Sequence, residues 1–456
     1  MTRFDETLRR LKKVPPRPTA LAAWTVIAAF AFVTGIALTG GRDRMVASPQ
    51  IQEAGVQEIP AASPDTLSPA DRGLYVMIHE KQQRNDFAAA DELMSQLSNT
   101  NLLGYVLAER YLNTRYKPSG DELKLWLANY NDHPQARHIA SLARTRGVAV
   151  MLPTVPAPLK GEGYTDHMGR TSMPDSWFTA LTYWREGKFE RAETIFTSLS
   201  ADETLSDWQR SAAYYWSYRA NDKLDESGAA ESALNSAAHY PTTFYGLLAI
   251  NQLGRRNVVA EAPEVSGSLR KDPRAIRAAL LTQIGQSDDA EDELRHLYSA
   301  TTPANRRGIV TLASELTMPN LQMRLAHTPG LSASETLFAR FPAPQYMVDL
   351  HPVMDSALLL SVARNESGFR EIARNASSGA LGMMQMLPAT ARAVERKIGQ
   401  DLLSTADAGN GSAIAERLSN PAMSARYAAE YLKMLAHVPA INNNLIHLVQ
   451  VDADWG

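Results

Sequence analysis

The pattern of apolar and polar positions changes character along the chain. Residues 19–39 form one uncharged block, TALAAWTVIAAFAFVTGIALT. As a helix rising 1.5 Å per residue it would reach about 31 Å, enough to cross a bilayer core. Residues 40–69 lose all periodicity and carry Pro49, Pro60, Pro64 and Pro69, so they read as a flexible linker. From residue 70 onward Leu, Ala, Tyr and Trp recur at helical spacing and alternating β-branched runs are scarce, which predicts helices. Met151 to Pro174, with Pro153, Pro156, Pro158, Gly161 and Gly163, interrupts that pattern and predicts a long surface crossing.

Within the helical region three segments share one spacing: a turn residue, a small residue five positions later, and a large apolar residue four further on. REGKFERAETIF supplies Gly187, Phe189, Ala192 and Phe196. QRNDFAAADELM supplies Asn85, Phe87, Ala90 and Met94, and TQIGQSDDAEDEL supplies Gly285, Ala290 and Leu294. Each predicts the second half of a helical hairpin, in which the Gly or Asn ends one helix, Ala permits close packing and the large residue fills the groove. The spacing resembles a degenerate tetratricopeptide repeat; a bundle of ordinary amphipathic helices is the alternative.

Charge changes the picture mainly at the N-terminus. Arg3, Arg9, Arg10, Lys12, Lys13 and Arg17 precede the uncharged block, which predicts a cytoplasmic tail, a membrane anchor and an exported body. A cleaved signal segment is the alternative, and it exports the same body. Over the whole chain Lys+Arg 46 nearly balances Asp+Glu 49, a net charge of -3 that discounts nucleic acid as a partner. With Cys 0, disulfides, thiolate metal sites and a cysteine nucleophile are excluded. No cofactor or metal is expected.

The candidate chemistry lies near the C-terminus. Leu359, Val362, Ala363 and Glu366 fall at i, i+3, i+4 and i+7, so a carboxylate shares the apolar stripe of a helix. For an isolated Glu the ordinary reading is a helix end reaching water beside Ser367 and Gly368. If the stripe instead leads into a pocket, desolvation raises the Glu366 pKa and keeps it protonated, as a general acid requires. Glycosidases commonly pair two carboxylates. Glu371 falls about 140° around the helix and Asp355 lies three turns away, so neither makes a local pair with Glu366.

Glu366-Ser367-Gly368-Phe369, followed by Gly379-Ala380-Leu381-Gly382-Met383-Met384-Gln385-Met386-Leu387-Pro388-Ala389-Thr390-Ala391, resembles the E-S-x-F and G-A-x-G-L-M-Q-x-M-P-x-T-A motifs of soluble lytic transglycosylases. His239-Tyr240-Pro241-Thr242-Thr243-Phe244-Tyr245-Gly246 resembles a segment of that family's superhelical domain. The resemblance implies cleavage of the bond between N-acetylmuramic acid and N-acetylglucosamine in peptidoglycan, with a 1,6-anhydromuramyl product. Glu366 would serve as acid and then as base. Ser377 or Ser378 would orient the acetamido group or glycan, Met384 and Gln385 would line the cleft, and Tyr431 is the position carried over from SARYAAEYL.

The departures are an Asn375 where the family places Ser, Ser424 and Ala428 in place of its next Asn and Gly, and a terminal VQVDADWG in place of an expected Tyr-Asn segment. The expected fold class is all-α, a TPR-like α-superhelix followed by a lysozyme-like α-helical domain incomplete at its C-terminus. The expected boundaries are a basic tail at 1–18, an anchor or signal at 19–39, a linker at 40–69, the superhelical domain at 70–340 and the lysozyme-like domain at 341–456. Peptidoglycan glycan strands, the membrane through residues 19–39, and proteins bound by the helical repeats are the expected partners. A helical-repeat scaffold that binds glycan without turnover is the alternative function.

Overall fold

Helix starts in this chain are fixed by short polar side chains that satisfy the first free amide groups. Ser119, Ser206 and Ser332 form capping boxes with Glu122, Gln209 and Glu335, and Pro69, Pro273, Pro303 and Pro319 open further helices. The computed structural model describes residues 66–153, 155, 157–159, 173–256, 258–398 and 411–436. The expected tail, membrane span and most of the linker lie outside the described residues, as does the terminal segment after residue 436. Among the described residues no helix is long and apolar enough to cross a membrane. Every extended element there is helical, and the β pairing is confined to isolated bridges.

In chain order the helices are α1 (Pro69–Gln83), α2 (Phe87–Met94), α3 (Leu103–Leu112), α4 (Gly120–Tyr130), α5 (Ala136–Thr145), α6 (Asp175–Arg185), α7 (Phe189–Ala201), α8 (Asp207–Lys223), α9 (Ser227–Ala238) and α10 (Phe244–Gln252). They continue as α11 (Gly267–Arg270), α12 (Pro273–Gln283), α13 (Ser287–Ala300), α14 (Pro303–Glu315), α15 (Pro319–Arg324) and α16 (Ala333–Arg340). The last five are α17 (Gln345–Val348), α18 (Ser356–Ser367), α19 (Pro388–Ile398), α20 (Gly411–Ser419) and α21 (Pro421–Ala436). They divide into two compact units, each built from separated stretches of chain. One holds residues 173–233 and 345–436 of the described chain, the other residues up to 159 together with 234–344.

In the second unit the two stretches share a core, in which Tyr75, Ile78, Leu102 and Tyr105 pack with Leu280, Leu294, Ile309 and Leu321. A buried polar group spans them. Tyr105 Oη donates to Glu293 Oε1 at 2.9 Å, and the Arg277 guanidinium bonds both Glu293 and Asp132. Burial of such charges is tolerated because each one meets an opposite charge or a hydroxyl. Leu67, placed in the linker by the sequence pattern, is buried in this core, and its amide donates to Gln283 Oε1. The described part of the expected surface crossing is stitched down at Val155, whose carbonyl accepts Arg137 Nη2, and at Leu159, whose amide and carbonyl bond Arg295. Gly246 in the HYPTTFYG segment is required sterically, since a Cβ there would lie 1.9 Å from the Tyr240 carbonyl oxygen.

The three predicted hairpins form. Asn85, Gly187 and Gly285 have φ of 60°, 74° and 76°, the left-handed turn that ends the preceding helix. Ala90, Ala192, Phe196, Ala290 and Leu294 are fully buried. Phe196 packs edge-to-face with Trp177 at 5.2 Å and against Trp216 at 5.8 Å, and Arg219 lies over the Trp184 and Trp216 rings at 5.0 and 4.7 Å. Met94 and Phe189, expected as core, are only half-buried, as is Phe87. Both Phe residues stand at the first position of their helices, at the rim of the layer. The same spacing recurs once more, unnoticed in the sequence: Asp225, with φ 57°, is followed by the buried Ala230 and Leu234.

Candidate active site

Helix α18 begins with Asp355, whose carboxylate accepts the Leu358 amide, so the more distant candidate carboxylate is spent as a helix cap. Its buried stripe consists of Leu359 and Ala363, with Val362 half-buried, and Glu366 lies on the next turn of the same face. Glu366 is itself half-buried. Burial alone pushes its carboxyl from 4.5 up to about 7, and among the described residues no cation pairs with it. The helix stops one residue later. Gly368 and Phe369 both adopt left-handed backbone, with φ 61° and 63°, and their amides turn back to the Arg364 and Ala363 carbonyls. For the fully buried Phe369 that conformation costs about 1–2 kcal/mol, recovered by burying the ring.

Beyond the helix the chain returns as a tight loop. Asn375 Oδ1 accepts the Ser377 amide at 3.0 Å, the Ser377 hydroxyl at 2.7 Å and the Ser378 amide at 3.2 Å. Asn375 thus organises both serines from the position where a serine was expected. Ser377 is exposed; Ser378 is half-buried, and its Oγ accepts the Ala380 amide at 3.3 Å.

Leu381 and Met386 exchange both backbone hydrogen bonds, and the Gln385 amide donates to the Gly382 carbonyl, closing a four-residue turn. Gly382 has φ 74°, and a Cβ there would lie 1.8 Å from the Leu418 carbonyl oxygen, so only glycine lets the turn seat against α20. Met384, assigned to the cleft, is fully buried and offers no surface. Gln385 is also buried, and its side-chain amide bonds the Ala373 and Gly382 carbonyls. Both residues shape the loop from behind. Tyr431 is half-buried on α21.

Ser367, named in the motif but given no role, and Tyr346, which the sequence pattern did not single out, join this loop to its neighbours. Ser367 Oγ donates to the Met383 carbonyl at 2.7 Å and accepts the Arg370 amide at 3.0 Å. Tyr346 Oη donates to Met383 Sδ at 3.5 Å, and burial, with Glu371 nearby, holds the phenol well above its ordinary range. On the far side of the loop, Arg417 bonds Tyr427 Oη and Glu395, which ties α19, α20 and α21 together. Among the described residues no cluster of His, Asp or Glu could hold a metal ion.

The arrangement is one carboxyl group raised to about 7 by burial, at a helix end whose next residue, Ser367, bonds the returning chain at Met383. It can give a proton to a bound group and take one back.

The model of the family described as Transglycosylase SLT domain matches residues 349–448. Among solved structures, the 70 kDa soluble lytic transglycosylase of Escherichia coli is similar at a TM-score of 0.53 and 13% identity, covering 83% of this chain and 88% of that one. A complex of the 70-kDa soluble lytic transglycosylase with bulgecin A is similar at a TM-score of 0.50 and 13% identity, with the same coverage. An inactive mutant of the lytic transglycosylase Slt from Pseudomonas aeruginosa gives a TM-score of 0.45 at 19% identity, and the chain spans 58% of its length. No curated relative matches the chain. At such identities the structural likeness establishes the shared all-helical fold.

Proposed function

Taking residues 349–448 as a member of the Transglycosylase SLT domain family, we propose that the chain is a peptidoglycan lytic transglycosylase that cleaves the β-1,4 bond from N-acetylmuramic acid to N-acetylglucosamine. The observation that carries this reading is Glu366, lifted to about 7 by burial alone and without a second carboxylate acting on it. A hydrolase that activates water would need a base beside the acid. A lyase needs only one group that works twice.

Protonated Glu366 gives its proton to the glycosidic oxygen as the C1–O bond breaks. The 2-acetamido group stabilises C1, and the Ser378 hydroxyl, whose oxygen already accepts the Ala380 amide, donates a hydrogen bond to the acetamido carbonyl and keeps its proton. Ionised Glu366 then takes the proton from the muramyl 6-hydroxyl as O6 bonds C1. The 1,6-anhydro ring closes and Glu366 is protonated again, ready for the next cycle.

Glu366→Gln keeps the size of the side chain and removes its transferable proton. Turnover of purified peptidoglycan should fall by several orders of magnitude while binding to sacculi persists. Products are read by mass, where the anhydro ends are lighter than hydrolysed ends by one water. Hydrolysed ends from the wild type, or equal turnover by the variant, would refute the proposal. With that substrate we also propose a body outside the cytoplasmic membrane, with the uncharged block at residues 19–39 as its anchor. Protease added to intact spheroplasts should digest the body, and full protection would argue against that topology.

A further inference from the structure

A four-residue turn closed between Gly382 and Gln385 uses the carbonyl of the first residue and the amide of the last. Its central peptide group, the Met383 carbonyl and the Met384 amide, has no partner within the turn itself. Both methionines are fully buried, so that peptide group must be satisfied from elsewhere or cost about 1–3 kcal/mol. Two hydroxyls reach it from opposite elements. Ser367 Oγ, from the end of the helix that carries Glu366, donates to the Met383 oxygen at 2.7 Å. Ser424 Oγ, from α21, accepts the Met384 amide at 3.4 Å. Both serines are buried, at 7% and 0% exposure. A Cβ on Gly382 would come within 3.1 Å of the Ser424 hydroxyl, so the missing side chain is what lets α21 close on the turn.

We propose that Ser367 and Ser424 form a two-sided hydroxyl clamp on the Met383–Met384 peptide group and are positioning residues that fix the Glu366 side chain relative to the serine-bearing loop. The proposal rests on Glu366 as the proton donor for its functional meaning, but the clamp itself is a matter of geometry. Ser367 follows Glu366 directly, so a displacement of its hydroxyl is passed to the carboxyl through one residue of helix. Loss of either arm leaves the buried peptide group short of a partner, and the turn loosens against Ser367, the residue that follows Glu366.

The test uses the full chain labelled with ¹³C at its glutamate carboxyls, with the Glu366 signal identified by its absence in Glu366→Gln. In the wild type Glu366 should ionise near pH 7. In Ser367→Ala and in Ser424→Ala the midpoint should drop by about one unit as water enters. The double variant should drop little further, because both hydroxyls act on one peptide group. In turnover each alanine variant should lose about 10- to 100-fold in kcat with KM changed less than about twofold, and Ser367→Thr, which keeps the hydroxyl, should recover most of it.

Unshifted midpoints and unchanged kcat in both alanine variants overturn the clamp. Ser424→Ala leaves the Glu366 helix untouched and gives the same readout should Ser367→Ala fail to fold. A wild type without turnover whose Glu366 midpoint still falls on loss of either serine sinks the lyase reading and leaves the clamp standing.

Discussion

Among the described residues no cation offsets the burial of an ionised Glu366, so its charge works against the fold. Its folded value is about 7 against an ordinary 4.5. Between about pH 4.5 and 7 the folded chain therefore keeps a proton that the unfolded chain has lost. This group's contribution to stability falls as pH rises through that window, and the full cost, about 3 kcal/mol, is present above it. Glu366→Gln should raise the denaturation midpoint at pH 8 and leave it unchanged at pH 4; equal midpoints at both would mean that the carboxyl is solvated. The stripe of Leu359, Ala363 and Glu366 was legible in the sequence because helical periodicity alone sets which residues share a face. The partners of Met383 and Met384 were not. They depend on hydroxyls 16 and 40 residues away, whose meeting only the packed chain determines.

At the scale of elements, the recurrent hairpin is the unit that the sequence conveyed best, since a turn residue, a small residue and a large one each leave a local mark. The repeat of the spacing at Asp225 was missed because its left-handed turn is made by an aspartate, which tolerates that conformation but does not advertise it as Gly or Asn do. The half-buried Phe87 and Phe189 show the converse: spacing locates a helix face but not how far along the helix the neighbouring layer extends. Phe196, fully buried between Trp177 and Trp216, lies where the layers meet. Phe196→Ala should cost about 3–5 kcal/mol in urea denaturation. A loss below about 1 kcal/mol would show that the aromatic layer can collapse around the gap, or that it was never tightly packed.

At the scale of the molecule, the unit that contains α1–α5 and α10–α16 depends on contacts between chain segments far apart in sequence. Arg277 is the hub, bonded to Glu293 and Asp132. Arg277→Leu would strand Glu293, which is 0% exposed, with only the Tyr105 hydroxyl and leave Asp132 without its guanidinium. The expected loss is about 3–5 kcal/mol, with α1–α5 becoming sensitive to protease under conditions where wild type resists. A chain as resistant as wild type would mean that the shared apolar core suffices.

Tyr105 and Glu293 stand 188 positions apart. During synthesis at about 5–20 residues per second, the tyrosine leaves the ribosome roughly 10–40 s before its partner exists. For that interval the part of the α1–α3 core that later packs against Leu280, Leu294, Ile309 and Leu321 lacks its cover. Residues inserted between the two stretches would change the closure entropy only slightly, about 0.6 kcal/mol for each doubling of the connecting length. Each would still lengthen the wait, so the order in which the gene is read sets a limit on assembly that the finished structure no longer displays.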